Sequence, residues 1–482
     1  MKQDQDWRER WYHRAMAAVP IHLDRAARTP LATQIYRAVR DAIETGRLDP
    51  GAKLPSWLDM AAQLGVSRGT VRLAYQRLID EQFAVGAGAA GTRVAEGPSP
   101  SSAPLWSPDV PPLPELFHTY GTPPLPFQMG VPSQDAFPFK LWSRIFARAA
   151  RRAAAAPVSY PDPRGDPQLR KEIAAYVGIA RGLRCSPAQV FIAAGYSGAI
   201  GLAVRALQVE GSRALIEDPS FPITRKALDL AGITVTAVPV GAEGLDVASG
   251  VRSAQDAALA IVTPGQHAPL GMTMSLSRRL ALLAWARRSD AWIIEDDYLS
   301  ELQLTGRAAP ALASLDHGGR VLHIGSFSKT ISPVLRLGFV VAPIELTGRF
   351  GDVCACLAPA PALALQGAVA EFLREGHYIR HLRRMKRLYA SRRQALLEGL
   401  AQVGSESLKV EATAGLAVIV STTASLSDVE IARRARSFGL APSPLSQWCV
   451  RSPPWQGLLL GVTNLDTGRL PQYCRQIAEA AQ

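Results

Sequence analysis

Cysteine is scarce and badly spaced for chemistry. Five cysteines, Cys185, Cys354, Cys356, Cys449 and Cys474, are scattered through 482 residues. There is no C-x-x-C pair, and Cys354-Ala-Cys356 has the wrong spacing for a zinc site or a redox pair. Such a set excludes a disulfide scaffold and reads as small buried hydrophobes in a reducing compartment. Long apolar runs are also missing, and no stretch reaches the roughly 18 residues of a membrane-spanning helix. The first residues, Met1-Lys2-Gln3-Asp4-Gln5-Asp6-Trp7-Arg8-Glu9-Arg10, are charged and contain no apolar signal core. A cytoplasmic location is expected. Charge is modest at 20 % against 48 % hydrophobic residues, which excludes wholesale disorder. The net charge of +12 is weak evidence for a polyanion partner unless it clusters on a recognisable element.

Proline, by contrast, is concentrated. Residues 96–126 carry Pro98, Pro100, Pro104, Pro108, Pro111, Pro112, Pro114, Pro123, Pro124 and Pro126. Proline at that density removes backbone donors and fixes φ, so neither helix nor sheet persists. A semi-extended linker is therefore expected over 96–126, between a small module at 20–95 and a large one at 127–482. The large module alternates apolar strand-like runs with amphipathic helical ones. Ala214–Ile216, Leu259–Val262, Trp292–Ile294 and Val321–Ile324 are such runs, and the alternation predicts an α/β domain with a mostly parallel central sheet.

In the small module, Leu31, Ile35, Ala38, Val39 and Ile43 repeat at helical spacing up to Gly46. Ser56 is placed to cap a second helix that Gly65 ends. Ser67 follows as the cap of a third helix, whose inward set is Val71, Ala74, Tyr75 and Leu78. That set turns Arg68, Thr70 and Arg72 outward, as in a helix-turn-helix. Phe83-Ala84-Val85, the stretch Gly86–Gly91 and Thr92-Arg93-Val94 read as a β-hairpin wing. The module resembles the GntR-type winged helix over about 20–95, through Leu54-Pro55-Ser56, Leu64-Gly65-Val66-Ser67-Arg68 and Gly91-Thr92. The resemblance implies a double-stranded DNA operator contacted by Lys53, Ser67, Arg68, Thr70 and Arg72. Two departures weaken phosphate anchoring: Leu58 stands where that family usually has arginine, and Val85-Gly86 lacks the usual basic residue. The competing reading is a helical module that packs without binding DNA.

Three stretches of the large module carry chemistry. In Gly325-Ser326-Phe327-Ser328-Lys329-Thr330 a lysine follows a buried strand, where desolvation lowers its pKa and makes the amine nucleophilic. Ser326, Ser328 and Arg336 supply donors suited to a phosphate. In Trp292-Ile-Ile-Glu295-Asp296-Asp297-Tyr298, carboxylates end an apolar strand, where open α/β sheets bind ligands. Asp296 precedes Lys329 by 33 residues, enough for one crossover to a nearby strand. A divalent-metal site is the competing reading of these acids. In Gly195-Tyr196-Ser197-Gly198-Ala199-Ile200 a strand turns into a helix whose N–H groups suit an anion, although a plain glycine turn would look the same.

Together these strings resemble the class I aminotransferases of the fold type I that binds pyridoxal 5′-phosphate (PLP). With the winged helix and linker, residues 20–482 resemble a MocR/GabR-type regulator. Further strings match in order: Tyr160-Pro161-Asp162-Pro163-Arg164-Gly165, Glu217-Asp218-Pro219, Thr273-Met274-Ser275-Leu276, Glu375-Gly376-His377-Tyr378 and Ser443-Pro444-Leu445-Ser446. The resemblance implies that Lys329 carries the cofactor as a Schiff base, Asp296 partners the pyridine nitrogen and Tyr298 contacts the phenolic oxygen. Ser197, Gly198, Ser326, Ser328 and Arg336 would hold the phosphate, and Phe221 would stack on the ring. Tyr160 matches a tyrosine that reaches the phosphate of a neighbouring subunit, which implies a homodimer, with domain swapping left open.

The departures concern the effector. Ile223 stands where the GABA-sensing relative has a binding arginine, and Leu459 fills the slot of the carboxylate-clamping arginine. Gly265-Gln266-His267-Ala268-Pro269-Leu270-Gly271 replaces the usual Ser-His-Gln-Phe-Pro-Thr-Gly string. A roomier, more apolar pocket is expected, with Arg451 a candidate substitute clamp and His267 an ordinary packed histidine. The leading expectation is a PLP-dependent transcriptional regulator responding to a small amine or amino acid. An active aminotransferase carrying a DNA-binding domain, and a sensor of PLP alone, stand as alternatives.

Overall fold

The computed structural model describes residues 21–86, 88, 91–96, 123–155, 159–304, 306, 308–404, 408–422, 426–451 and 453–482. The chain divides into two compact units, Met1–Pro114 and Glu115–Gln482. The division falls inside the expected linker, of which 97–122 lies outside the described residues.

Local signals account for the small unit. Its helices are Leu31–Glu44, Trp57–Leu64 and Arg68–Asp80. The Ser56 hydroxyl accepts from the Asp59 N–H at 3.1 Å, and Gly65 ends the second helix at φ +58°. This left-handed conformation favours glycine, which has no Cβ to clash. Two residues on, the Ser67 hydroxyl caps the recognition helix by accepting from Thr70 N–H at 3.1 Å. Ile35, Val39, Leu54, Val71, Tyr75 and Leu78 form one core. Strands β1 (Ala84–Gly86) and β2 (Thr92–Val94) pair antiparallel, Ala84 opposite Val94. Of the expected wing turn, residues 87, 89 and 90 lie outside the described residues.

The large unit is built on an eight-stranded sheet. Its strands are β3 (Val190–Ala193), β4 (Arg213–Asp218), β5 (Thr234–Gly241), β6 (Gly244–Leu245), β7 (Leu259–Val262), β8 (Trp292–Asp297), β9 (Val321–Ser326) and β10 (Gly338–Val341). Their spatial order is β3-β10-β9-β8-β7-β4-β5-β6. Pairings from β9 through β5 are parallel, whereas β10 runs antiparallel to both neighbours and β6 antiparallel to β5. Side chains alternate between two covered faces, which is why these strands read as continuous apolar runs. Ile216, Ile261, Ile294 and Leu322 pack with helix Gly195–Leu207 and with Phe350 and Cys354. Leu215, Val262, Ile293 and Val321 pack instead with Leu282, Leu283 and Trp285 of helix Leu276–Arg288.

A second, wholly antiparallel sheet follows, formed by β11 (Leu408–Ala414), β12 (Ala417–Thr422), β13 (Ser443–Pro444) and β14 (Leu458–Gly461) in the order β11-β12-β14-β13. Phe127 bridges to Gly461, where the backbones approach so closely that a Cβ on Gly461 would lie 2.5 Å from the Gln128 carbonyl oxygen. The bridge delivers Met129 and Gly130 to the site described next.

Candidate functional site

Period-two alternation in β8 sorts its three acids. Glu295 and Asp297 point to one face, where Glu295 accepts from Leu312 N–H at 2.7 Å and lies 3.0 Å from His323 Nδ1. On that same face, Arg181 Nε donates to Asp297 at 2.6 Å. Asp296, between them in sequence, faces the opposite side. The acids therefore do not converge on one ion, and no metal-holding cluster of His, Cys, Asp and Glu occurs among the described residues. The metal reading of the sequence has no geometric support.

Asp296 lines a small cavity with Tyr196, Glu217, Ser220, Phe221, Thr263 and Ala268. Burial pushes its carboxyl up to about 7, opposed by the hydroxyl of Tyr196 and the charge of Lys329. Burial likewise brings the Lys329 amine down to about 8, against the attraction of Asp296. Lys329 follows β9, adjacent to β8 in the parallel ladder, and Nζ donates to the Gly130 carbonyl at 2.9 Å. Phe221 sits on the cavity wall, its ring 6.1 Å from Tyr196 and 5.7 Å from Trp448. The Tyr298 hydroxyl reaches the His267 carbonyl at 3.5 Å, and burial raises its pKa.

Sheet pairing assembles the expected phosphate residues beside this cavity. Gly338 of β10 pairs with Ser326 on one side and with Ala193 on the other. This brings the serine turn after β9 next to the start of helix Gly195–Leu207, which carries Ser197 and Gly198. No side chain caps that helix, so its first N–H groups remain open. Ser326 Oγ accepts from Ser328 N–H at 3.2 Å. Arg336, at the uncommon φ of +46°, reaches the Ala194 carbonyl through Nη2 at 3.5 Å, over Gly195. Non-glycine residues held in this region cluster at ligand sites. Tyr160 is fully exposed and does not pack on this group.

The donor set fits PLP: an apolar-walled slot, a buried carboxylate at its end, an amine of lowered pKa, and an uncapped helix start flanked by two serines and a guanidinium. Ser220 Oγ, buried on the cavity wall, has no hydrogen-bond partner.

At the effector edge one residue departs from the sequence expectation. Arg451 does not stand free as a clamp: Nε donates to Asp218 at 3.0 Å, Nη2 to the Asp218 carbonyl at 2.9 Å, and the guanidinium stacks 4.5 Å over Trp455. Leu459 is fully buried among Ala414, Ile419 and Leu445, with Met129, Leu270 and Trp448 against them. His267 is buried and pushed down to about 3 by desolvation, as befits a packed neutral histidine. Sequence reasoning assigned no role to Tyr196 or Glu217, although both lie inside strings it quoted. Glu217 accepts from the Thr263 N–H and hydroxyl at 3.0 and 2.5 Å, and burial pushes it up to about 8. An acid at the end of a strand beside Asp218-Pro219 was the available signal.

In the small unit, Arg68 and Arg72 are exposed on the recognition helix, on the side away from buried Val71, Ala74 and Tyr75. Thr70 is half-buried, its hydroxyl 2.8 Å from that of Ser67, so these two hydroxyls engage each other. Lys53 is exposed and bridges to Arg93 of the wing.

The fold and site define a winged helix-turn-helix regulator whose second unit is an aminotransferase-type PLP domain. Residues 137–444 match the family "Aminotransferase class I and II", and residues 31–94 match "Bacterial regulatory proteins, gntR family". The probable rhizopine catabolism regulatory protein MocR of Rhizobium meliloti is 35 % identical over 456 residues, 92 % of each chain. The pyridoxine biosynthesis transcriptional regulator PdxR of Corynebacterium glutamicum is 31 % identical, covering 82 % of this chain and 84 % of its own. Among solved structures, the α-aminoadipate aminotransferase LysN of Thermus thermophilus matches 74 % of this chain and 92 % of its own, with 27 % identity and a TM-score of 0.66. The chain belongs to the MocR/GabR-type transcriptional regulators, DNA-binding proteins with a PLP-dependent aminotransferase-like domain.

Proposed function

We propose that Lys329 holds PLP covalently and that a small amine or amino acid, competing for that attachment, changes the affinity of the chain for its operator. The observation that carries this reading is the half-buried Lys329 amine, its pKa lowered to about 8 by desolvation, just past the strand next to the one that carries Asp296. When bound, PLP supplies an electrophilic carbon and an electron-withdrawing ring. Asp296 would hold the proton at the pyridine nitrogen, and Tyr298 would donate to the phenolic oxygen. Phe221 would wall the ring, while Ser197, Gly198, Ser326, Ser328 and Arg336 would bind the phosphate. The exposed Tyr160 serves a second subunit, so the protein acts as a homodimer; as a DNA-binding regulator it acts in the cytoplasm. Arg68 and Arg72 contact the operator, helped by Lys53, while Ser67 and Thr70 secure the start of the recognition helix.

Absorbance of the purified chain with PLP tests the attachment. A visible band is expected, and it disappears in Lys329→Ala; no band in the native chain, or a band surviving in the variant, overturns the reading. A DNA-shift assay titrated with PLP alone, then with added amines, separates an amine signal from a signal carried by the cofactor itself. Turnover between an amino acid and a keto acid would instead favour an enzyme, which the engagement of Arg451 by Asp218 argues against.

A further inference from the structure

The helix His377–Val403 is unusual in charge. It carries seven Lys and Arg residues, and its one acid, Glu398, lies near its end. Some of these cations are spoken for inside the fold. Arg392 is buried and bonds to Asp135 at 2.7 Å and to Ser133 at 2.9 Å. Arg380 donates to the Glu375 carbonyl at 2.9 Å. Arg383, Arg384 and Arg387 are different: all three are exposed, and none enters an ion pair among the described residues. Buried His381, Leu382, Met385 and Tyr389 hold the opposite side of the helix against the core, so these guanidiniums are fixed outward. Residues 380 to 387 span about 10 Å of helix, two turns, with cations at three- and four-residue spacing along one stripe.

A second basic helix, Phe139–Ala155, packs on the same neighbour, Leu363–Arg374, as this one does: the rings of its Trp142 and of His381 lie 5.7 and 6.2 Å from that of Phe372, at steep angles to it. Its Arg148 and Arg152 neutralise Glu371, the buried acid between the helices, while Arg144 and Arg151 stay exposed without an ion pair among the described residues. The local acid is therefore consumed and the cationic excess faces solvent. Arginine held in this way costs little to desolvate and suits the oxygens of a phosphodiester chain.

We propose that the Arg383–Arg384–Arg387 stripe of the large unit is a second DNA-binding surface, sequence-independent and directed at the phosphate backbone of duplex DNA. It rests on the reading that the chain binds DNA, and it adds contacts beyond those of the helix-turn-helix. The favoured occupant is duplex DNA because the stripe, with Arg380, presents four arginines against one exposed large apolar side chain on its helix, Ile379, whereas a protein interface is expected to centre on apolar residues and to be depleted of charge there.

The test uses the full chain loaded with PLP and a long mixed-sequence duplex, so that no operator need be known. The affinity is measured against salt for the native chain, for Arg383→Gln/Arg384→Gln/Arg387→Gln, and for the corresponding triple lysine variant. Each phosphate contact contributes about 0.9 to the slope of log K against log salt, so the glutamine variant is expected to lose about 2.7. The lysine variant retains the native slope. An unchanged slope in the glutamine variant overturns the proposal, as does an unchanged slope with an altered oligomeric state, which would mark the stripe as a contact between two copies. Should the glutamine triple fail to fold, the three single variants, each expected to lose about 0.9, decide the matter. Arg68→Ala/Arg72→Ala is measured in parallel. Native binding in that variant would refute Arg68 and Arg72 as contacts to this duplex and leave the stripe standing.

Discussion

Lys329 and Asp296 oppose each other's ordinary ionisation. Burial disfavours the ammonium and the carboxylate separately, while their mutual attraction favours both. Attachment of a carbonyl needs the neutral amine, so its rate rises with pH and levels off above about 8 in the native chain. Asp296→Asn removes the charge that raises the lysine pKa and leaves the burial that lowers it. The midpoint should therefore move to lower pH, by about one unit, in the growth rate of the visible cofactor band. An unmoved midpoint would mean that the two groups do not communicate. Lysine and aspartate were both legible in the sequence, because each ends an apolar strand run. Glu217 carried the same signal at the end of its strand, whereas only packing shows that Tyr196, in the first turn of a helix, faces the cavity.

At the scale of elements, helix ends and sheet order behave differently. Ser56, Gly65 and Ser67 announce their helix ends because a cap is satisfied within one turn of itself. Strand β10 gives no comparable notice. It inserts antiparallel between β9, the strand before it in the chain, and β3, whose hydrogen bonds reach it from far away in sequence. Its first residue matters most: a Cβ on Gly338 would lie 2.9 Å from the Gly325 carbonyl oxygen and 3.0 Å from the Gly195 carbonyl carbon. Both are backbone atoms that cannot swing aside. Gly338→Ala should push the serine turn away from the helix start at Gly195. PLP affinity should fall about tenfold, or about 1.4 kcal/mol, in an absorbance titration. Native affinity would show that the two anchors are not held together by this contact.

For the molecule as a whole, regulation requires that the effector and the operator each distinguish the same two states. Coupling of this kind is reciprocal. If an amine changes operator affinity by some factor, within the usual range of about 5–150, saturating operator DNA must change amine affinity by that same factor. Titrating the amine with and without DNA checks this, and unequal factors would show that a two-site equilibrium does not describe the protein. The sequence by itself determined the winged helix and the α/β class, and it pointed to a division at the proline-rich stretch and to Lys329 and Asp296 at the ends of apolar runs. These follow from local chemistry: proline geometry, capping, periodicity, and charged residues placed at strand ends. Only the tertiary structure decided which face of β8 meets the cavity, so that Asp296 lines it rather than Glu295 or Asp297, that Asp218 occupies Arg451, and that Ser326 and Gly195 meet across Gly338. Each of those outcomes depends on which distant segments share a sheet edge or a cavity, and that is settled by packing between elements remote in sequence.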